Sequence, residues 1–439
     1  MGGIEVPATQ HRLFLQNCRL IDGTGSPAVE SASVVIDLPS GQIIYAGKQG
    51  NPGAPLPKQN DQVINLEGHT VLPGLFNVHT HLGLKLPFTP YKLDPYTQPY
   101  WALICYRRTV EALLCGATTL RCPGGPHGAD IAVRNAIDKQ MIWGPRLVVA
   151  GGILLAHGGH GHNSVGTIEC SGVAQFREAA RIQLREGADF TKICLTGGLG
   201  TPGEKFTDKQ MTDDEVAAVV EVAHMSGKRV AAHAGGDKPV QECVRLGVDC
   251  IEHGYVLSQA TVELMAEAGT YLVPTLAVTH AFDYLEAHGS PAFQVEKARE
   301  AARFHKDSIT RAIKAGVKIA VGTDLLPSDP LDGTNATVRE VELLVEAGMT
   351  PLEAIKAATL NSAELCQVDH ITGSLVAGKQ ADLIAVKGAP DREISDLRNL
   401  ALVVKDGHIA RSEVPGHETQ PFGILPPGVP VEGGTFKVW

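Results

Sequence analysis

His79 and His81 stand one residue apart at the end of the apolar run Val71-Leu72-Pro73-Gly74-Leu75-Phe76-Asn77-Val78. In a strand, residues i and i+2 point to the same side, so the two imidazoles can grip one divalent cation together. Other residues of ligand or proton-transfer type recur inside or just after short apolar runs. They are Lys192 in Phe190-Thr191-Lys192-Ile193-Cys194-Leu195, His233 after Arg229–Ala232, His253 in Glu252-His253-Gly254, and Asp324 in Gly322-Thr323-Asp324. Taken singly, each has a plain reading: a hydrogen-bonded histidine, a lysine whose stem reaches water, an aspartate in a turn. Taken jointly, four imidazoles, an amine and a carboxylate make a donor set that suits zinc or a similar divalent ion.

The amine is the informative member, because an ammonium cannot ligate a metal. A lysine buried beside cations must lose its proton or be converted, since like charge and desolvation both disfavour the charged form. Carboxylation by carbon dioxide would make Lys192 an N6-carboxylysine, an anionic carbamate with two oxygens. Such a group can bridge two metals ~3.5–4 Å apart, as two-metal hydrolytic sites require. A water shared by those metals would lose a proton near neutral pH and become the nucleophile, and Asp324 is expected to take that proton and pass it to a leaving amine.

The elements that must bring these residues to one rim are legible as eight β-like apolar runs. They cover Val71 to Val78, Thr118 to Cys122, Arg146 to Ala150, Phe190 to Leu195, Arg229 to Ala232, Asp249 to Ile251, Tyr271 to Pro274 and Lys318 to Val321. Helical stretches separate them, among them Asp213 to Met225, Val262 to Glu267 and Ala298 to Ala315, and Thr212-Asp213-Asp214-Glu215 has the form of a helix start. Alternating strands and helices imply parallel strands with right-handed crossovers. The expected class is therefore α/β, with a closed (β/α)8 TIM barrel over residues 71–372 whose chemistry sits at the carboxyl ends of its strands.

Residues 1–70 and 373–439 have a different texture, with short β-like runs such as Ala32 to Ile36, Gln42 to Ala46, Ala381 to Lys387 and Ala401 to Lys405. Neither flank alone holds enough strands for a stable sheet, so both chain ends are expected to form one small β-sandwich domain. The segment with Pro421, Pro426, Pro427 and Pro430 reads as an irregular tail.

With 439 residues, 44% of them hydrophobic, the chain can bury a large core. A formal net charge of -10 and the lack of any Lys/Arg run argue against a nucleic-acid or anionic-membrane partner. Met1 to Gln16 lacks the basic start and apolar core of a signal peptide, and no apolar stretch nears the roughly 20 residues that span a bilayer. Nine scattered cysteines without a Cys-x-x-Cys pair suggest free thiols in a reducing compartment. The expected location is the cytoplasm.

This run of motifs resembles the amidohydrolase superfamily. The residues that carry the resemblance are Val78-His79-Thr80-His81-Leu82, Thr191-Lys192-Ile193, Ala232-His233-Ala234-Gly235, Ile251-Glu252-His253-Gly254 and Val321-Gly322-Thr323-Asp324. Flanking segments resemble it too, including Asp22-Gly23-Thr24-Gly25, Leu72-Pro73-Gly74-Leu75 and Gly378-Lys379-Gln380-Ala381-Asp382-Leu383. Thr196-Gly197-Gly198 and Gly158-Gly159-His160-Gly161-His162 resemble the imidazolonepropionase-like branch, with its binuclear Xaa-Pro dipeptidases, carboxypeptidases and ochratoxin-hydrolysing amidases.

The resemblance implies two divalent metal ions, with zinc preferred. His79 and His81 would hold the more buried one, His233 and His253 the other, and carboxylated Lys192 would bridge them. Asp324 would ligate the buried metal and shuttle the proton, while His160 or His162 would lie near the scissile carbonyl or a substrate carboxylate. A homo-oligomer is also implied. Several peptidases of the branch carry a Tyr two residues after the strand-five His, where this chain has Gly235; Tyr255 could supply a substitute phenol or simply pack in the core.

The function expected is hydrolysis of the amide in a small N-acyl or aminoacyl amino acid. Hydrolysis of a cyclic amide, imide or lactone is the alternative within enzymes, and a non-catalytic barrel scaffold the alternative outside them. Pocket shape should depend on the loops around His127, His157 to Asn163, Thr201 to Phe206 and His280 to Gly289.

Overall fold

The computed structural model describes residues 11–84, 96–162 and 164–419; the proline-rich tail expected from Pro421 onward lies outside them. The chain divides into two compact units. Among the described residues, one joins 11–75 to 351–419, and the other spans 76–350. The sequence reading places these divisions at 70/71 and 372/373.

In the first unit, strand Arg12–Leu20 pairs antiparallel with Val29–Asp37, which pairs in turn with Gln42–Lys48. On its other side Arg12–Leu20 changes neighbour, pairing through Leu13–Gln16 with Gln62–Asn65 and through Arg19–Leu20 with His69–Pro73. The carboxy-terminal strand Leu383–Lys387 lies between His69–Pro73 and Leu400–Lys405, antiparallel to both. Hydrogen bonding thus runs through eight strands as one sheet, where the sequence led us to expect a two-sheet sandwich. The switch of neighbours along one strand, next to a register shift between Leu15 and Cys18, joins what would otherwise be separate layers. Alternate residues Leu13 and Leu15, Val34 and Ile36, Leu383 and Ala385, and Leu402 and Val404 meet in one core.

In the second unit Ala117–Cys122, Thr191–Cys194, Val230–Ala234 and Cys250–His253 are parallel strands buried on both faces, which is why they read as continuous apolar runs. Thr167–Cys170, Ile153–Ala156, Thr191–Cys194, Val230–Ala234, Cys250–His253 and Tyr271–Val273 form one parallel sheet in that spatial order. Leu75–Asn77, Ala117–Cys122 and Arg146–Val149 form another. Asp189 N–H donates to Val149 O, just before Thr191–Cys194. Ile319 bridges Leu272 in parallel, and Val78 N–H donates to Val321 O at 2.7 Å.

Three differences from the sequence expectation concern local chemistry. The run Val71 to Val78 is two strands, because Pro73 ends the first and Gly74 N–H turns to Asp382 O. Two short strands, Ile153–Ala156 and Thr167–Cys170, flank the Gly/His loop and were not expected. The Lys318 to Val321 run makes an isolated bridge and single hydrogen bonds where a regular strand was expected.

Helix Asp213–Met225 starts as expected, with Thr212 N–H donating to the Glu215 carboxylate at 2.9 Å. All nine cysteines are free. No helix among the described residues is long and apolar enough to cross a membrane.

Candidate active site

His79, His81 and Asp324 offer three ligand atoms that all lie within 4.8 Å of one another. Backbone geometry brings Asp324 there. Thr323 and Asp324 N–H both donate to His79 O, at 3.1 and 2.8 Å, and Asp324 adopts a left-handed φ of +55°. Its Oδ1 then sits 3.4 Å from Nε2 of both His79 and His81. Partial loss of water alone would raise this carboxyl, but the two imidazoles hold it well below the usual carboxylate range.

Each imidazole is fixed through one ring nitrogen. His79 Nδ1 lies 2.6 Å from Glu252 Oε2, His81 Nδ1 3.0 Å from Gly124 O, His233 Nε2 2.9 Å from Gly197 O, and His253 Nδ1 2.7 Å from Thr275 Oγ1. An oxygen partner on one nitrogen sets the tautomer and leaves the other nitrogen's lone pair for a ligand. Burial first, and then the neighbouring imidazoles, push His233 and His253 well below the ordinary histidine value, so both stay neutral donors. The rings are close, with centroids 4.5 Å apart for His233 and His253 and 5.0 Å for His79 and His253.

Lys192 is 2% exposed, and its Nζ has no hydrogen-bond partner among the described residues. A buried amine without a partner is costly, so this atom points to an additional group at the site. Its donor set and this orphan nitrogen fit a divalent metal cluster. Cys194 Sγ is no competing nucleophile, because burial pushes its thiol up to about 12.

Glu252 is the main residue that sequence reasoning missed. Cys250 and Glu252 share the inward face of their strand, with Cys250 Sγ donating to Glu252 Oε1 at 3.0 Å, and Arg121 pairs with the same carboxylate. Burial would raise the Glu252 carboxyl, but Arg121 and His79 hold it well below the normal range. Strict alternation would then turn His253 away from the site; its left-handed φ of +74° brings the ring back. The i, i+2 relation of Cys250 and Glu252 was the signal available in the sequence.

A cavity of about 210 Å³ is lined by His79, His81, His160, Lys192, His233, His253, Tyr255 and Asp324 together with apolar residues such as Trp101, Ile153 and Val278. His160 stacks on His233 with centroids 4.5 Å apart, and its Nδ1 is held by Glu204, a second residue not foreseen. Gly198 is needed there, since a Cβ would come within 2.5 Å of the His160 ring. His162 does not join the lining: its loop turns back through a His162 N–H to Gly159 O bond, and its Nδ1 lies 3.0 Å from the same oxygen.

Tyr255 is 1% exposed and stacks on His253, with Phe206 and His305 against its edges. It fills the space beside Gly235, where a Cβ would meet Tyr255 Cδ2 at 2.6 Å and Phe206 O at 2.4 Å. A side chain at position 235 and the Tyr255 ring therefore exclude each other.

Comparison with known proteins agrees with this geometry. The amidohydrolase family matches residues 70–410. The ochratoxinase of Aspergillus niger is 30% identical over 405 residues, covering 85% of this chain and 81% of its own. A Xaa-Pro dipeptidase with methionine bound in its active site is 32% identical and superposes with a TM-score of 0.79 over 91% of this chain and 99% of its own. The crystal structure of the A. niger ochratoxinase superposes with a TM-score of 0.78 at 27% identity, over 92% and 96%. A chain with this site and these relatives is a hydrolase acting on amide bonds, and it belongs to the amidohydrolase family.

Proposed function

We propose that this chain is a binuclear metal-dependent amidohydrolase that releases an amino acid from a small N-acyl or aminoacyl conjugate. The observation that carries the reading is the ring of four imidazoles, each fixed through one nitrogen, around the unpartnered Lys192 amine. The dipeptidase and ochratoxinase similarities support the substrate class. His79, His81 and Asp324 would hold one ion, His233 and His253 the other, with zinc preferred, and Lys192 as its carbamate would be shared between them. Bound there, the ions supply Lewis-acid activation of the scissile carbonyl and of water.

The chain's own groups do the rest. The Asp324 carboxylate, held ionised by His79 and His81, accepts the nucleophile's proton and returns it to the amide nitrogen as the C–N bond breaks. His160, locked by Glu204 and stacked on His233, presents its other ring nitrogen to the scissile carbonyl. We read the second unit as a closed (β/α)8 barrel, supported by the Val78–Val321 and Leu272–Ile319 links between its first, last and seventh strand positions. Nine free thiols favour a reducing, cytoplasmic setting.

The test is release of free amino acid from a panel of N-acyl phenylalanines and Xaa-Pro dipeptides. Protein reconstituted with zinc and bicarbonate should release it and lose the activity on chelation. Protein carrying two zinc equivalents with no product from any panel member would overturn the reading.

A further inference from the structure

Four of the seven residues 197–203 are glycine, so the stretch that follows strand Thr191–Cys194 has little shape of its own. An antiparallel bridge between Thr196 and Lys209 closes its base. Beyond that base, its form is set by groups that grip its backbone. Gly198 is held on both sides: its N–H donates to Glu204 Oε1 at 2.8 Å, and its carbonyl accepts from Lys297 Nζ at 3.0 Å. The same ammonium donates to Thr201 O at 2.5 Å. Lys297 belongs to helix Ala292–Lys314. A lysine on a helix surface ordinarily keeps its rotamer freedom and sends its ammonium to water. Here it is spent on two main-chain carbonyls of a loop that has few side chains to anchor it.

That loop holds His160. Glu204 binds His160 Nδ1, and Gln210 Nε2 donates to the other Glu204 oxygen at 2.8 Å. The backbone next to the ring is tied as well: His160 N–H donates to Gln210 Oε1 at 2.8 Å and Gly161 N–H to Thr201 Oγ1 at 3.0 Å. Gly198 packs so closely that an added Cβ would sit 2.6 Å from His160 Nε2 and 2.8 Å from His233 Cε1. Lys297 thus reaches the imidazole through Gly198 and Thr201, the two residues whose carbonyls it holds.

We propose that Lys297 is a positioning residue for hydrolysis: by holding Gly198 and Thr201 it keeps the loop closed on His160 and the ring at the scissile carbonyl. The inference rests on the amidohydrolase reading above, in which His160 touches that carbonyl. The plainer role for Lys297 is to dock its helix. The two roles differ in where a loss falls. Misplacing a group that acts on the reacting bond by ~1 Å costs about 100-fold in rate, and it does so only while that group is present.

Lys297→Met keeps the stem and removes the ammonium. On the panel member that wild type hydrolyses best, its kcat should fall by roughly 10- to 100-fold, with KM within about twofold and zinc content unchanged. In a His160→Ala background the same substitution should change kcat by less than about twofold, because the group it positions is gone. If Lys297→Met does not fold, Lys297→Gln, which retains a donor, carries the same cycle. Hydrogen–deuterium exchange supplies a readout independent of turnover. The amides of His160 and Gly161, bonded to Gln210 and Thr201, should exchange faster in the Lys297 variant than in wild type.

An equal fall in kcat in both backgrounds, a loss confined to KM, or unchanged exchange of those two amides would overturn the proposal. Wild-type protein that releases no amino acid from any panel member removes the hydrolytic reading instead. Exchange then decides alone: faster exchange at His160 and Gly161 in the variant keeps the link from Lys297 to His160, and unchanged exchange ends it.

Discussion

His79 and Glu252 are joined at 2.6 Å, and through Glu252 the imidazole is coupled to Arg121, whose Nε in turn donates to Val78 O one residue before His79. The loop closes on itself: strand end, guanidinium, carboxylate, imidazole. The orientation of His79 is therefore set by two other strands.

Glu252→Gln should weaken metal binding by roughly 10- to 100-fold, the usual cost of removing the partner of a ligating imidazole. It also leaves the Arg121 guanidinium buried without its counter-charge, at a cost of ~3–5 kcal/mol. Competition with a chromogenic chelator and thermal unfolding of the metal-free protein measure the two effects separately.

Lys192→Ala should lose one of two bound metal equivalents and most of its turnover, and bicarbonate during reconstitution should raise wild-type activity only. Elemental analysis alongside the amino-acid release assay checks this. Wild-type turnover in Lys192→Ala would remove the shared carbamate.

Asp324→Asn keeps the shape and the contact with His79 and His81 but cannot carry a proton. Turnover should fall by about 10²–10⁴-fold, the range expected for loss of a general acid/base. Full activity in this variant would take Asp324 out of proton transfer.

Glu340 gives a pH-dependent stability. Its buried carboxylate accepts from Leu276 and Ala277 N–H at 2.9 and 2.6 Å, beside the Thr275 that fixes His253, and burial raises its pKa from 4.5 to about 8. Between those values the folded protein keeps a proton that the unfolded chain releases. This contribution to stability is thus fully present below about pH 4.5 and is lost as pH rises through about 8, at up to ~1.4 kcal/mol per pH unit. Melting temperatures from pH 5 to 8 should fall more steeply for wild type than for Glu340→Gln. Parallel curves would assign the pH dependence elsewhere.

Gly235→Ala should destabilise by about 1–3 kcal/mol, because its Cβ meets the backbone oxygen of Phe206 and the ring of Tyr255. Denaturant unfolding is the check, and an unchanged midpoint would mean that the Tyr255 ring is free to move.

Much of the site was legible because its residues punctuate apolar runs: a lysine inside Thr191–Cys194, or an imidazole near the end of Val230–Ala234, has no ordinary place in a buried strand. What escaped depends on backbone conformation and on contacts distant in sequence. The left-handed φ of His253, a residue the sequence already placed at the site, lets its neighbour Glu252 face the site as well, and Glu204 reaches His160 across 44 residues. In the same way, the tight turn that folds His162 onto Gly159 made two similar loop histidines unequal. Of the fold, long buried runs such as Ala117–Cys122 were plain, whereas the four-residue strands Ile153–Ala156 and Thr167–Cys170 are too short to show a period. Pro73-Gly74 splits the Val71 to Val78 run, and that dipeptide, a turn signal, was the mark of the break available in the sequence.

The interleaved sheet of the first unit has a consequence for biosynthesis. Strand His69–Pro73 leaves the ribosome early, but its edge partner Leu383–Lys387 follows far later; Thr70 Oγ1 donates to Gly388 O across 318 residues. At about 5–20 residues per second, a nascent strand waits tens of seconds with one side unpaired. During that interval it is open to pairing with a neighbouring nascent chain, so its maturation depends on shielding the strand until translation has nearly finished.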